Sequence, residues 1–166
     1  RDPQYVSEAK AVQKMNFNNS EVQHICCLLE KEGISVNQNT NIASSIYAYK
    51  PGDGSAREQA ASCQRVLGAG ANFAHEYATK RYRSNLINWG LLPLRTDESL
   101  NLPVGTYLLI PDVQMIVESG KKEFYVEILD LQSESAESAI LCTLDTLTEE
   151  EKKILLSGCL INYYKN

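Results

Sequence analysis

Gly52-Asp53-Gly54-Ser55-Ala56-Arg57-Glu58-Gln59 is the stretch on which the rest of the chain turns. An apolar run over residues 42–49 precedes it and ends at Lys50-Pro51. Ala60-Ala61-Ser62-Cys63-Gln64-Arg65-Val66-Leu67-Gly68 follows and reads as a helix. The pattern is therefore strand, glycine turn, serine, helix. A helix start leaves backbone N–H groups without partners and carries the positive end of the macrodipole, so it is suited to an anion.

Ser55 admits two readings. As a helix N-cap it forms, with Glu58 three residues on, the S-x-x-E pattern of a capping box. As a reactive group it sits where a helix end can stabilise an alkoxide or a substrate carboxylate. Arg57 would add a planar cationic fork for that carboxylate, and the flanking glycines let another group come close to the backbone. The spacing alone is compatible with both.

Gly54-Ser55-Ala56-Arg57-Glu58-Gln59-Ala60-Ala61, with Asn85-Leu86-Ile87-Asn88-Trp89-Gly90-Leu91-Leu92-Pro93-Leu94 downstream, resembles the swivel domain of the aconitase family. That family carries glycine-serine-serine-arginine-glutamate-histidine-alanine-alanine at the first place. At the second it has an asparagine-leucine segment ending in glycine, leucine or isoleucine, leucine and proline. Two motifs in the right order are far more specific than one glycine turn. The likeness extends from about Asp2 to the C-terminus and is strongest over residues 42–94.

The resemblance implies an α/β fold of the aconitase swivel type, in β/β/α layers with a mixed sheet and flanking helices. It implies a hydro-lyase that dehydrates and rehydrates a hydroxy di- or tricarboxylate. By position Ser55 matches the family's catalytic serine base. Arg57 matches its substrate-gripping arginine, and Gly54 and Ala56 complete the substrate-binding turn. The cofactor implied is a [4Fe-4S] cluster held by other domains, and a further substrate arginine belongs upstream of Asp2-Pro3. Residues 1–166 are accordingly expected to be one swivel domain, an excised C-terminal part of a larger chain. It would be inactive alone and complete its site against the cluster-bearing domains. Three departures stand out. Ala56 replaces the family's second serine, so a hydroxyl contact is lost while the backbone N–H stays. Lys50-Pro51-Gly52-Asp53 replaces tyrosine-glycine-x before the motif, and Asp53 opposes a bound anion unless it points away. Gln59 replaces histidine. They suggest a divergent, hydratase-like branch. Alternatives are a separate small subunit of the isopropylmalate-isomerase type, and a degenerate or RNA-contacting relative.

At 166 residues with 43% hydrophobic and 22% charged residues, the chain has the make-up of one globular domain. A net charge of −5 disfavours a dedicated nucleic-acid binder. No apolar run reaches the ~20 residues of a membrane span, and a cytoplasmic setting is expected. The five cysteines include no C-x-x-C and read as buried small hydrophobes in a reducing compartment. Two histidines, His24 and His75, suggest no metal site.

Along the chain, helices are expected over residues 3–15, from Ser20 (boxed with Gln23) to Gly33, over 55–67, and from Thr148 (boxed with Glu151). Residues 37–41 and 133–137 read as polar turns. Strands are expected over 42–49, 72–77, 106–110, 113–117, 124–129 and 139–144, with a hairpin turn at 119–122. The first half suggests a parallel crossover and the second an antiparallel scaffold. Residues 77–83, Tyr-Ala-Thr-Lys-Arg-Tyr-Arg, interleave basic and aromatic side chains. They fit a stacking platform for single strands, a solvated helix face, or an electropositive wall near an anionic substrate. Trp89 is expected in the core.

Overall fold

In the computed structural model, residues 3–15, 18–31, 33–34, 36, 40–97, 100–130 and 135–165 are described, the side chains of 130 and 135–137 excepted. The element order is α1 (Tyr5–Gln13), α2 (Ser20–Lys31), β1 (Ser44–Ala48), α3 (Arg57–Val66), β2 (Ala69–Ala74), α4 (Lys80–Asn88), β3 (Leu92–Arg95), β4 (Tyr107–Leu109), α5 (Val113–Ser119), β5 (Glu123–Asp130), β6 (Ser135–Leu144), α6 (Glu149–Leu156) and α7 (Leu160–Tyr163).

The six strands form one mixed sheet in the order β1-β2-β3-β6-β5-β4. β1, β2 and β3 run parallel, joined by the crossover helices α3 and α4. β6, β5 and β4 are antiparallel. The expected α/β class, with an early parallel half and a later antiparallel one, is thus what the chain builds. β3 went unread in the sequence because it is only four residues long and contains Pro93.

Two apolar clusters hold the layers together. The larger gathers Phe73, Leu94, Phe124, Val126 and Ile140 along the sheet, together with Ile87 of α4 and Ile154 of α6. The smaller joins Ala61 of α3, Ala69 of β2, and Tyr82 and Leu86 of α4. Leu86 and Ile87 are both fully buried, and each such side chain contributes roughly 1.5–3 kcal/mol. Ala61 lets α3 lie close against α4. Trp89 is only partly buried at the end of α4, where it packs against the smaller cluster.

Several expectations need correction. Residues 113–117 form not a strand but the start of α5. Val113, Ile116 and Val117 recur at i, i+3, i+4, which is helical spacing, and Ile116 and Val117 are the pair that is buried. Residues 119–122 are accordingly the exit of that helix, through Gly120 in the left-handed region, and not a hairpin turn. Ser20 lies inside α2; Asn19 caps it, its Oδ1 accepting from the N–H groups of Glu21 and Val22. Of the five cysteines, Cys142 alone is buried, while Cys27 and Cys63 are exposed, so the reading of all five as core residues fails. Of the expected polar turns, residues 37–39 and 133–134 lie outside the described residues, and 135–137 already belong to β6. Thr148 is as expected: its Oγ1 accepts from Glu151 N at 3.1 Å, and its own N–H donates to Glu151 Oε2 at 2.8 Å.

Candidate active site at the glycine turn

The carboxyl ends of parallel strands are where an open α/β sheet offers a crevice. Here the loops after β1 (residues 49–56) and β2 (residues 75–79) meet at that edge. Tyr49 begins the contact. Its carbonyl accepts from the N–H groups of His75 and Glu76, both at 3.1 Å, and its ring stacks on His75 with centroids 4.7 Å apart. Lys50 pairs with Glu76 across the same gap, and that hydrogen bond holds the Glu76 carboxyl below its ordinary range.

The glycine turn itself is tied down at three successive carbonyls. Pro51 O accepts from Ala78 N at 2.9 Å. Gly52 O accepts from Thr79 Oγ1 at 3.2 Å and from Arg57 Nε at 3.0 Å. Asp53 O accepts from Arg57 Nη2 at 3.4 Å. Gly52 has φ +95°, and a Cβ there would lie 2.5 Å from the Cβ, Cγ and Cδ1 of Tyr82. Only glycine fits. Gly54 differs: a Cβ on it would meet no heavy atom within 4 Å. The two glycines of the motif therefore have separate grounds. One is demanded by packing; the other faces outward.

Beneath the turn, Tyr82 is 2% exposed. Its hydroxyl accepts from Gln64 Nε2 of α3 at 3.1 Å and from Asn72 Nδ2 of β2 at 3.2 Å. Gln64 Oε1 and Asn72 Oδ1 are buried without a partner among the described residues. Each unmet acceptor costs about 1–3 kcal/mol. What the arrangement secures is a ring fixed from three elements at once. Tyr77 adds a further tie. Its hydroxyl lies 3.1 Å from the carbonyls of Asn72 and Leu94, bridging β2 and β3, and burial pushes its pKa well above the ordinary value, so it remains a donor.

The helix start now takes a definite form. The N-cap of α3 is Ala56, and no side chain caps it. The first intrahelical bond runs from Ala60 N to Ala56 O, and no described acceptor takes the N–H groups of residues 57–59. Ser55 stands one residue ahead of the cap position, exposed, and its hydroxyl bonds to no described group. The S-x-x-E spacing does not close into a capping box here. Of the residues read from the sequence, Gly54, Ser55, Ala56 and Arg57 lie together on this turn, with Ser55 outward and Arg57 half-buried. Arg57 spends two of its N–H donors on the turn, and a guanidinium has five, so it can steady the loop and still present charge. Asp53 is exposed at the same lip.

Two cavities flank the turn. One of about 380 Å³ runs under it, lined by Ile46, Pro51, Ala56, Ala60, Gln64 and Tyr82, and is mainly apolar. The other, about 260 Å³, is charged, with Glu76, Lys80, Arg83, Arg95 and Asp145 in its wall. The interleaved stretch 77–83 does not make a stacking platform. Tyr82 is core, and Arg83 holds Glu151 Oε1 at 3.1 Å together with the carbonyls of Asp145 and Thr146. Only Lys80 and Arg81 of that run are exposed.

Among the described residues no three His, Cys, Asp or Glu side chains converge as a metal-binding group. The donor set does not fit an iron–sulfur cluster, which takes several thiolates at one point. No described helix is long and apolar enough to cross a membrane.

Thr79 and Tyr82 were missed in the sequence. A threonine ahead of a basic helical run is a cap signal, and Thr79 Oγ1 does accept from Tyr82 N at 3.2 Å. Its reach to Gly52 left no local trace, nor did the pairing of Tyr49 with His75. Both depend on strand register.

A family model described as the aconitase C-terminal domain matches residues 7–99, which include the glycine turn, the loop after β2 and all of α4. A crystal structure of 3-isopropylmalate dehydratase from Methanocaldococcus jannaschii superposes with a TM-score of 0.51 at 25% sequence identity, over 93% of this chain and 81% of that one. No curated protein matches.

Proposed function

Because the chain belongs to the family of the aconitase C-terminal domain, we propose that it is the swivel domain of a hydro-lyase acting on a hydroxy di- or tricarboxylate. Ser55 is the base. As alkoxide it takes the proton from the carbon next to a substrate carboxylate. The electron pair left behind forms the alkene, and the hydroxyl departs from the adjacent carbon. Rehydration is the reverse. Arg57, the backbone N–H of Ala56 and those opening α3 receive a substrate carboxylate, and the outward Gly54 lets it approach. The [4Fe-4S] cluster of this reading belongs to domains outside this chain, and the complete site forms where the swivel domain closes on them.

The observation that carries this reading is the uncapped start of α3 beneath an exposed serine. A serine hydroxyl is a very weak acid. A helix end contributes about 0.3–1 kcal/mol toward an anion, up to ~2 when partly buried, which is at most ~1.5 pK units. The rest of the stabilisation falls to Arg57 and to groups supplied by the other domains. The test is turnover by the complete, anaerobically cluster-loaded protein on citrate, isocitrate, methylcitrate and isopropylmalate. One of these should be dehydrated, and Ser55→Ala should lose it about 10²–10⁴-fold. A fully loaded protein that turns over none of them, or a Ser55→Ala variant as active as wild type, would sink the reading.

The same turn also fits a free-standing small subunit of the isopropylmalate-isomerase type. Favouring it is the structural likeness to the 3-isopropylmalate dehydratase chain, at 25% sequence identity. The native mass of the protein decides between the two arrangements: one long chain, or this chain bound to a separate cluster-bearing subunit.

A further inference from the structure

We propose, on the reading of Ser55 as the base, that Thr79 and Tyr82 are positioning residues for it, acting through the backbone of the glycine turn. Neither touches a reacting atom. The two hydrogen bonds from Arg57 to the turn are local, spanning four and five residues, and move with it. The tie that joins the turn to another element is the loop before α4, through Ala78 N to Pro51 O and Thr79 Oγ1 to Gly52 O. Thr79 uses one hydroxyl twice: it accepts from Tyr82 N as the cap of α4 and donates to Gly52 O. Capping alone does not need the second bond, which reaches 27 residues back along the chain. The Tyr82 ring is the floor on which Gly52 rests, and its hydroxyl is held from α3 by Gln64 and from β2 by Asn72. A shift in the first turn of α4 or in the Tyr82 ring is therefore passed to Gly52, three residues before Ser55. A misplacement of about 1 Å in a reacting group costs as much as 10²-fold in rate.

The test uses the complete, cluster-loaded protein at a temperature where every variant is folded. Thr79→Val removes the shared hydroxyl at constant volume. Tyr82→Phe keeps both the ring and the α4 cap but frees the ring from its anchors. Thr79→Val should lower kcat roughly ten- to a hundredfold with KM little changed, Tyr82→Phe should lower it by a smaller factor, and Thr79→Ser should restore most of it. Amide exchange at Ala78 gives a second readout that needs no turnover. It should speed up about tenfold in Thr79→Val, because that N–H is protected by the clasp to Pro51 and not by Thr79 itself. If Ser55→Ala abolishes activity while both substitutions leave kcat unchanged, the positioning role is wrong and the base assignment survives. If wild type turns over no hydroxy acid, the base assignment falls, and the Ala78 exchange still decides on the clasp: an unchanged rate overturns it.

Discussion

α3 and α6 begin with the same spelling, a hydroxyl residue followed three positions later by glutamate, and they use it in opposite ways. At α6, Thr148 and Glu151 satisfy each other's backbone N–H groups in a closed capping box. At α3, Ser55 and Glu58 do not meet; Ala56 occupies the cap position and the first turn stays open. The cause lies upstream. Before α6 the chain is also held, Arg83 bonding the carbonyls of Asp145 and Thr146, but those ties leave Thr148 in extended geometry, φ −71° and ψ 161°, with its hydroxyl over the helix. Before α3 the chain is clamped at residues 51–53 by Ala78, Thr79 and Arg57, and Ser55 is carried one position beyond reach of a cap. A local motif becomes a stabilising device only where tertiary contacts leave it room.

The contrast can be broken most violently at Gly52. Gly52→Ala forces a Cβ into Tyr82 at a backbone angle that alanine avoids, so equilibrium unfolding should show a loss of about 2–5 kcal/mol. Next comes the closed box. Thr148→Ala should cost ~1 kcal/mol, within the range for lost caps, with no effect on turnover. The open start can be closed by design: Ala56→Ser supplies a hydroxyl at the true cap position, which should stabilise by about 0.5–1 kcal/mol, and isothermal titration should show altered substrate affinity because the same N–H groups are now occupied. A smaller effect on stability than these belongs to Gly54→Ala. No described atom crowds that position, so the change should stay within ~0.5 kcal/mol while KM rises. A marked loss of stability there would mean the residue is structural after all.

Much of the frame could be read from local pattern. The glycine turn and helix around residues 52–59 and the box at Thr148 rest on interactions within a few residues, and the parallel first half and antiparallel second half follow from the order of the elements, although their strands pair over long separations such as Ser44 with Ala69 and Leu94 with Leu144. Errors arose where two local forces compete. The run from Val113 to Val117 is rich in β-branched residues, with Val113, Ile116 and Val117, yet burial of Ile116 with Val117 makes it helical. Ser20 and Ser55 each sit one residue from the cap position that the pattern assigned them, behind Asn19 in one case and ahead of Ala56 in the other. The candidate site was legible as a list, Gly54, Ser55, Ala56 and Arg57, because those residues are contiguous. Its support was not. Thr79, Tyr82, Gln64 and Asn72 reach the turn only through the register that sets Tyr47 beside Phe73 and Ala48 beside Ala74, and no sequence period encodes that pairing.

The most direct measurement is to follow Ser55→Ala beside Thr148→Ala in the complete, cluster-loaded protein, by denaturant unfolding and by hydroxy-acid turnover. A serine that caps nothing should leave the unfolding free energy within ~0.3 kcal/mol of wild type and remove turnover about 10²–10⁴-fold, while Thr148→Ala loses ~1 kcal/mol and keeps its activity. If Ser55→Ala instead loses the same ~1 kcal/mol as Thr148→Ala and turns over substrate as before, the two helix starts are equivalent and Ser55 is an ordinary cap.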